Sequence, residues 1–149
     1  MTTILANMQV SLDAADTLID AALAEGQKRE LLPLCVAVLD VGGHIIALKR
    51  QDGCGLLRAD IAQGKAWAAL AMGLNAATTG QRLSGNPGFL TAAIAASDGR
   101  MVPHSGGLLI IDADGRGIGA VGISGDTGEN DELCARAGIA AAGLHVAPV

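Results

Sequence analysis

Three side chains of different chemistry stand out as candidate catalytic residues. His104 lies in a short loop before an apolar strand, where an imidazole can transfer protons near neutral pH or ligate a metal, either haem iron or another ion. Lys65 lies among apolar residues of a predicted helix, and a half-buried ammonium group could act as a base or bind an anion. Arg50 ends a predicted strand and can bind a carboxylate through two parallel hydrogen bonds. Together they predict an anion clamp with one proton shuttle.

Each of these residues also has a structural interpretation. His104 can be an ordinary loop residue. Lys65 can extend its ammonium group to the helix surface while its stem stays buried. Arg50 can pair with Asp52, which stands before Gly53 as is typical of turns. The sequence leaves both interpretations open for all three residues.

Small and polar residues near these positions complete the predicted ligand-binding set. Cys54 is close to Lys49 and Arg50, which could lower the pKa of its thiol and make it a nucleophile, although a structural cysteine is the alternative. Two loops could supply backbone donors, hydroxyl groups and a carboxylate. The predicted ligand-binding residues are Asp52, Cys54, Ser105, Gly106, Gly107, Ser124, Gly125 and Asp126.

The glycine-rich segment before the last helix has the spacing of a dinucleotide-binding loop. Gly117, Gly119 and Gly122 match that spacing, but they lie within a predicted hairpin strand rather than between a strand and a crossover helix. The dinucleotide interpretation is therefore rejected. Asp131, in the first turn of the following helix, either binds a ligand's polar end or caps and charges the helix start.

Two predicted hairpins and several helices must position these residues. LCVAVLD and HIIALKR flank a Gly-Gly turn, and GLLIID and RGIGAVGIS flank a second glycine turn, so each pair is antiparallel. The two hairpins share the same turn chemistry, an aspartate followed by glycine. Helical periodicity predicts helices at 12–26, 57–74 and 130–144. Residues 89–96 are predicted to form either a short helix or a collapsed apolar segment, and Ala76–Gly88 is predicted to be a loop. The order predicts an α+β fold, an α/β sandwich with helices covering the sheet, in one domain over residues 1–149.

Composition excludes several classes of protein. The chain of 149 residues has a net charge of −5 and no basic run, which argues against nucleic-acid binding. No apolar run is long enough for a membrane helix, and the start lacks the basic segment of a secretory signal, so we expect a cytoplasmic protein that binds no membrane. Trp67 and Phe89 are the only aromatic residues, and the histidines, cysteines and carboxylates show no zinc or di-iron pattern.

The chain resembles the GlcG/HbpS family of haem-degrading domain proteins, which includes the C-terminal domain of PduO-type adenosyltransferases. The motifs that carry the resemblance are VAVLDVGGHIIALKRQDG, ADIAQGKAWAA and IGAVGISGDTGENDELCARAG. The resemblance implies a profilin-like fold, a central antiparallel sheet flanked by helices, and assembly into homo-oligomers. It also implies haem as a cofactor of some members, with His104 as the iron ligand if haem is bound here. Cys54 departs from the family, which usually has a small residue at this position.

Three functions remain open from the sequence, and whether the protein is an enzyme is one of the open questions. The favoured hypothesis is a small-molecule-binding protein whose ligand is haem or a related tetrapyrrole. The first alternative is a cofactor-independent catabolic enzyme, a tautomerase, isomerase or lyase, with His104 as acid-base group and Arg50 and Lys65 as anion clamp. The second alternative is a non-catalytic oligomeric accessory protein.

Overall fold

A computed structural model describes residues 9–149. Within these residues the chain forms five helices and five strands. The helices are α1 (Leu12–Lys28), α2 (Leu57–Met72), α3 (Ala76–Ser84), α4 (Pro87–Ala96) and α5 (Gly128–Ala141). The strands are β1 (Cys35–Leu39), β2 (Ile45–Arg50), β3 (Gly107–Ile111), β4 (Gly117–Ser124) and β5 (His145–Val146). None of the helices in the described part of the chain is long and apolar enough to cross a membrane.

The five strands form one antiparallel sheet in the order β2-β1-β4-β3-β5. Helices α1 and α5 pack on one face of the sheet and α2 packs on the other. This confirms the predicted α+β fold with helices around a central antiparallel sheet. Side chains alternate between the faces of a strand, so Val36 and Val38 of β1 meet α1 and α5, whereas Cys35 and Ala37 meet α2.

Both hairpins use the same turn, as the sequence predicts. Asp40 Oδ1 accepts hydrogen bonds from the backbone N–H groups of Gly42 and His44, each at 2.9 Å. In the second hairpin Asp112 Oδ1 accepts from Asp114 and Arg116 at 2.9 Å. The aspartate side chain therefore closes the turn in each case, a use for which a short acceptor side chain is suited.

The prediction of a loop at Ala76–Gly88 is wrong, because this segment forms α3 and the start of α4. Two contacts explain the difference. A Cβ atom at Gly80 would meet the carbonyl oxygen of Pro103, so this glycine permits close packing within α3 rather than breaking it. Asn86 accepts a hydrogen bond from Phe89 N, and Pro87 occupies the first turn of α4, where a proline is tolerated.

The predicted helix boundaries shift for similar reasons. Gly26 does not end α1, since it is buried against Leu34 and the helix continues to Lys28. Helix α2 stops at Met72 because Gly73 adopts a φ of 64°. The last helix starts at Gly128 and ends at Ala141, and the short strand β5 follows, which the sequence did not indicate.

Helix α2 lies unusually close to the sheet. At Gly122 an added Cβ would meet the backbone of Ala62 and Ala66, and at Gly107 it would meet the backbone of Lys65. Small residues such as Ala66, Ala69 and Ala120 fill the space between the two layers. This close approach places the middle of α2, including Lys65, against the ends of β3 and β4.

Candidate functional site

Lys65 lies in a buried ion pair at the end of the sheet. Its Nζ atom donates hydrogen bonds to the carbonyl oxygen of Ile123 at 2.8 Å and to Asp131 Oδ2 at 3.0 Å. Both partners are buried, with only 4% of Lys65 and 0% of Asp131 exposed. Burial lowers the pKa of Lys65, and the charge of Asp131 opposes this effect. The ammonium group therefore faces its own protein, and the expectation that it extends to the surface is wrong.

Gly106 packs directly against this ion pair. Its φ is +109°, and an added Cβ would lie 2.9 Å from Lys65 Nζ and 2.7 Å from the carbonyl oxygen of Ile123. A side chain at this position would therefore strain the backbone and displace the lysine. Gly106 and Gly107 serve this close packing, whereas the sequence predicted them as ligand-binding backbone donors.

Asp131 does not cap α5, contrary to one sequence interpretation. Thr127 is the N-cap, and its side chain accepts from Asn130 N at 3.2 Å. Asp131 instead points inward, where Oδ1 accepts from Asp126 N at 3.1 Å while Oδ2 binds Lys65. Its carboxylate thus links α2, α5 and the loop between β4 and α5.

The predicted ligand-binding loop at 124–126 is largely occupied by contacts within the chain. Asp126 accepts from Leu32 N at 3.0 Å, Thr127 N at 2.8 Å and Asn130 Nδ2 at 2.7 Å. These hydrogen bonds, that from Asn130 foremost, lower the pKa of Asp126. Ser124 is fully buried, and Gly125 packs against the backbone of Pro33 and Leu34.

His104 is exposed and lies against the start of α5. A Cβ added to Gly128 would approach His104 Cε1 at 2.8 Å and Nδ1 at 2.9 Å, so the imidazole lies against the helix start at this glycine. Within residues 9–149 the imidazole forms neither a hydrogen bond nor an ion pair. The adjacent Ser105 borders a groove of about 450 Å³ between α3 and α5.

Arg50, Asp52 and Cys54 surround the exposed end of β2. Arg50 and Asp52 do not form the expected ion pair, and neither belongs to any ion pair within residues 9–149. Arg50 also borders a groove beside α1, together with Leu31, Pro33 and Asp52. The three catalytic candidates therefore do not converge on one open pocket: Arg50 stands at the β2 end, Lys65 is buried and His104 lies beside α5.

Of the two interpretations of Cys54, the structure favours the structural cysteine over the activated thiol. Burial raises the pKa of its thiol, and the positive charges of Arg58 and Arg50 only oppose this effect. Lys49, the other cation expected to activate the thiol, lies on the opposite face of the sheet. Its Nζ atom binds Asp20 at 2.7 Å and Asp16 at 3.1 Å in α1.

This arrangement predicts that the Cys54 thiol is alkylated slowly and that its rate of alkylation depends strongly on pH. Alkylation of Cys54 by iodoacetamide should increase with pH with a midpoint above that of a solvent-exposed cysteine thiol, because burial raises the pKa and shifts thiolate formation to higher pH. Mass spectrometry of the modified peptide measures the rate, with N-acetylcysteine in the same buffer as control. A midpoint below that of N-acetylcysteine would restore the interpretation of Cys54 as an activated nucleophile.

Arg58 is a functional candidate that sequence reasoning missed. Its Nη1 atom donates to Ser124 Oγ at 3.1 Å, from the first turn of α2. The signal in the sequence was its spacing, since Arg58 and Lys65 are seven residues apart and therefore lie on the same helix face.

A cleft beside Trp67 was also missed. It has a volume of about 420 Å³ and lies between α2, the first hairpin turn and residues 98–102. Apolar side chains including Leu57, Ile61 and Val102 form much of its lining, with Asp60, Asp98 and Arg100 as its charged groups. The Arg100 guanidinium stacks over the Trp67 ring, 4.6 Å from its centroid. The lining contains no histidine, cysteine or methionine, so the cleft offers no side chain that ligates haem iron.

Together, the five-stranded sheet covered on both faces and the clefts of small-ligand size define a small α+β protein suited to binding a small molecule. The model of the family described as "Haem degrading protein HbpS-like" matches residues 10–140, and the chain belongs to this family. This confirms the resemblance found in the sequence.

Individual relatives agree with this assignment. The chain is 36% identical over 117 residues to Protein GlcG of Escherichia coli strain K12, covering 77% of this chain and 81% of that protein. The crystal structure of a PduOC:heme complex matches with a TM-score of 0.84 and 28% identity, covering 94% of this chain and 99% of the other. The crystal structure of HbpS matches with a TM-score of 0.76 and 26% identity, covering 94% and 92%.

Proposed function

We propose that the protein binds haem or a related tetrapyrrole, with His104 as the axial iron ligand. The observation that carries this proposal is the similarity, along nearly the whole length of both chains, to PduOC, which was crystallised with haem. The family description, which refers to haem, supports the same class of ligand.

The residues around His104 are compatible with haem. An axial ligand needs a ring nitrogen with a free lone pair, and the exposed imidazole of His104 has no side-chain partner within residues 9–149. Because Gly128 lacks a side chain, the ring can lie against the start of α5. Leu133 and Val149 provide apolar surface in the neighbouring groove. His104 would hold the haem through its imidazole, and the bound haem would supply the redox and ligand-binding chemistry of its iron.

Titration with hemin tests the proposal. We expect a saturable red shift of the Soret band for the natural protein, and about tenfold weaker binding or more for His104→Ala, because the iron would lose its protein ligand. His44→Ala and His145→Ala are matched controls and should bind as the natural protein does. His44 is exposed at the first hairpin turn, and His145 begins β5.

Two results would contradict the proposal. Absence of a saturable Soret shift in the natural protein would exclude tetrapyrrole binding. Equal affinity of His104→Ala and the natural protein would exclude His104 as the axial ligand.

There is less support for the alternative of a catabolic enzyme in which Arg50 and Lys65 form the anion clamp and His104 is the acid-base group. It needs an anion clamp and a proton shuttle around one substrate. Lys65 is engaged by Asp131 and Ile123, so it has no free face for an anion. A second cation beside Arg50 would have to be Arg58 instead.

A further inference from the structure

Arg58 of α2 lies on the sheet face that α2 covers, and the side chain of Arg50 starts from the same face near Cys54 and also borders the groove beside α1. Arg50 and Ser124 are the two antiparallel partners of Cys35, so the three side chains start from the same face. Cys35 packs with Ala62 of α2 and with Cys54, which identifies that face. Arg58 reaches the same place from α2, because its Nη1 atom donates to Ser124 Oγ, beside the strand position where Cys35 packs with Cys54.

The guanidinium group of Arg58 is held by one hydrogen bond and has further N–H donors for another partner. Ser124, which is fully buried, accepts one hydrogen bond from Nη1 at 3.1 Å. A guanidinium has five N–H donors in a planar array, so most of its donors remain for another partner. Ser124 thus acts as a positioning residue that orients Arg58.

Asp131 and Asp126, the carboxylates that flank the loop after Ser124, are already engaged, whereas the exposed Asp52 lies near Arg50 without an ion pair within residues 9–149. Asp131 binds Lys65 and the N–H of Asp126, and Asp126 accepts three hydrogen bonds of its own. Within residues 9–149 neither Arg50 nor Arg58 has a carboxylate oxygen within 4.0 Å. The two positive charges are therefore not neutralised by a direct ion pair within the described chain.

The other lysines and arginines differ from Arg50 and Arg58 in their contacts. Half of the ten lysines and arginines form ion pairs, namely Arg29, Lys49, Lys65, Arg116 and Arg136. Among the rest, Lys28 and Arg82 are exposed in the last turns of helices, where a cation favourably meets the helix dipole. Arg100 stacks on Trp67. The remaining two, Arg50 and Arg58, are the ones that share a neighbour in Cys54.

We propose that the guanidinium groups of Arg50 and Arg58 together bind the carboxylate group of a small organic acid beside the Cys54 thiol. Two guanidinium groups match a carboxylate because each can donate paired N–H bonds to its oxygens. This site does not depend on the proposed haem binding. A propionate of a bound tetrapyrrole has the same chemistry as a free acid, so the experiment must separate these two sources.

The rate at which Cys54 is alkylated can report whether a carboxylate is bound at this site. Cys35 and Cys134 are fully buried, whereas Cys54 is partly exposed. Iodoacetamide is uncharged, so a bound carboxylate would slow it by covering the thiol and by neutralising the nearby positive charge that favours the thiolate. With succinate as probe, at constant ionic strength and pH about 8.5, we expect a saturable slowing of about threefold or more, while chloride has no such effect.

Two variants and one control assign the effect to the arginines. Arg58→Gln and Arg50→Gln should each weaken the protection by succinate about tenfold, because each removes one charged donor pair. Arg82→Gln, an equal change at an exposed site in α3, should keep the protection. The ratio of rates with and without succinate is compared within each variant, which corrects for altered thiol reactivity. Arg50 is exposed, so its variant provides a second test if Arg58→Gln fails to fold.

Hemin and its dimethyl ester distinguish the two sources of the carboxylate. Protection by succinate supports a free acid, and protection by hemin but not by its dimethyl ester supports a propionate. Three outcomes would overturn the site: no protection by succinate or hemin, protection by hemin and its ester alike without protection by succinate, or full protection in both arginine variants. The Soret titration reads haem binding separately, so failure of one proposal does not obscure the other.

Discussion

Lys65→Met is expected to destabilise the protein by about 3–5 kcal/mol, the cost typical of removing one partner from a buried ion pair. The change leaves the Asp131 carboxylate buried without its cation. It also leaves the Ile123 carbonyl oxygen without the hydrogen bond that it accepts from Nζ. Methionine has a similar length and is apolar, so the loss should reflect the missing charge rather than a cavity. Urea unfolding followed by circular dichroism measures the free energy of unfolding.

Two controls separate the buried pair from lysine loss in general. Lys49→Met removes an ion pair that is exposed to solvent, and it should change stability only slightly. The double variant Lys65→Met with Asp131→Leu removes both charges and should recover part of the stability lost in the single variant, since no unpaired charge stays buried. If Lys65→Met were as stable as the natural protein, the ion pair between α2 and α5 would not be buried in solution.

Gly122→Ala is expected to lower the free energy of unfolding by about 4 kcal/mol or more, because the clash is with backbone rather than with a movable side chain. The new methyl group would meet the carbonyl of Ala62 and the N–H of Ala66 in α2. Helix α2 cannot easily move away, since Gly64 on its other side packs against Arg100 O and Val102. Thermal unfolding and the yield of folded protein measure the effect.

Gly85→Ala is the matched control for this prediction. Gly85 follows α3 with a φ of −72°, and an added Cβ would meet no heavy atom within 4 Å. The same chemical change should therefore be nearly neutral there. If the two alanine variants were equally stable, α2 would not approach β4 as closely as the structure has it.

Local sequence signals predicted most of the fold. The turn of each hairpin is determined locally, because Asp40 and Asp112 close the turns through hydrogen bonds within four residues. Helix α3 was missed because its helical state depends on Gly80 packing against Pro103, a contact that composition does not reveal. The strand β5 was missed because two residues are too few to show alternation.

The candidate site was less predictable, because its decisive contacts are distant in sequence. Lys65 and Asp131 are 66 residues apart, and no local spacing indicates that they meet. The same separation joins Arg58 to Ser124. The sequence does show the seven-residue interval between Arg58 and Lys65, which indicates a shared helix face but not the partners of the two side chains. The glycine spacing at 117–122 was visible too, but its cause at Gly122 is the closeness of α2 rather than a phosphate group.

The position of Trp67 gives the protein a spectroscopic property. The chain has one tryptophan and no tyrosine, so its ultraviolet fluorescence above 300 nm comes from this indole alone. The ring lies between the first hairpin turn at Gly43 and the guanidinium of Arg100, on the wall of the 420 Å³ cleft. The emission of the whole molecule is therefore a single-site signal. We expect a small molecule that enters this cleft to change the surroundings of the indole, so the emission wavelength and intensity should change without any added label.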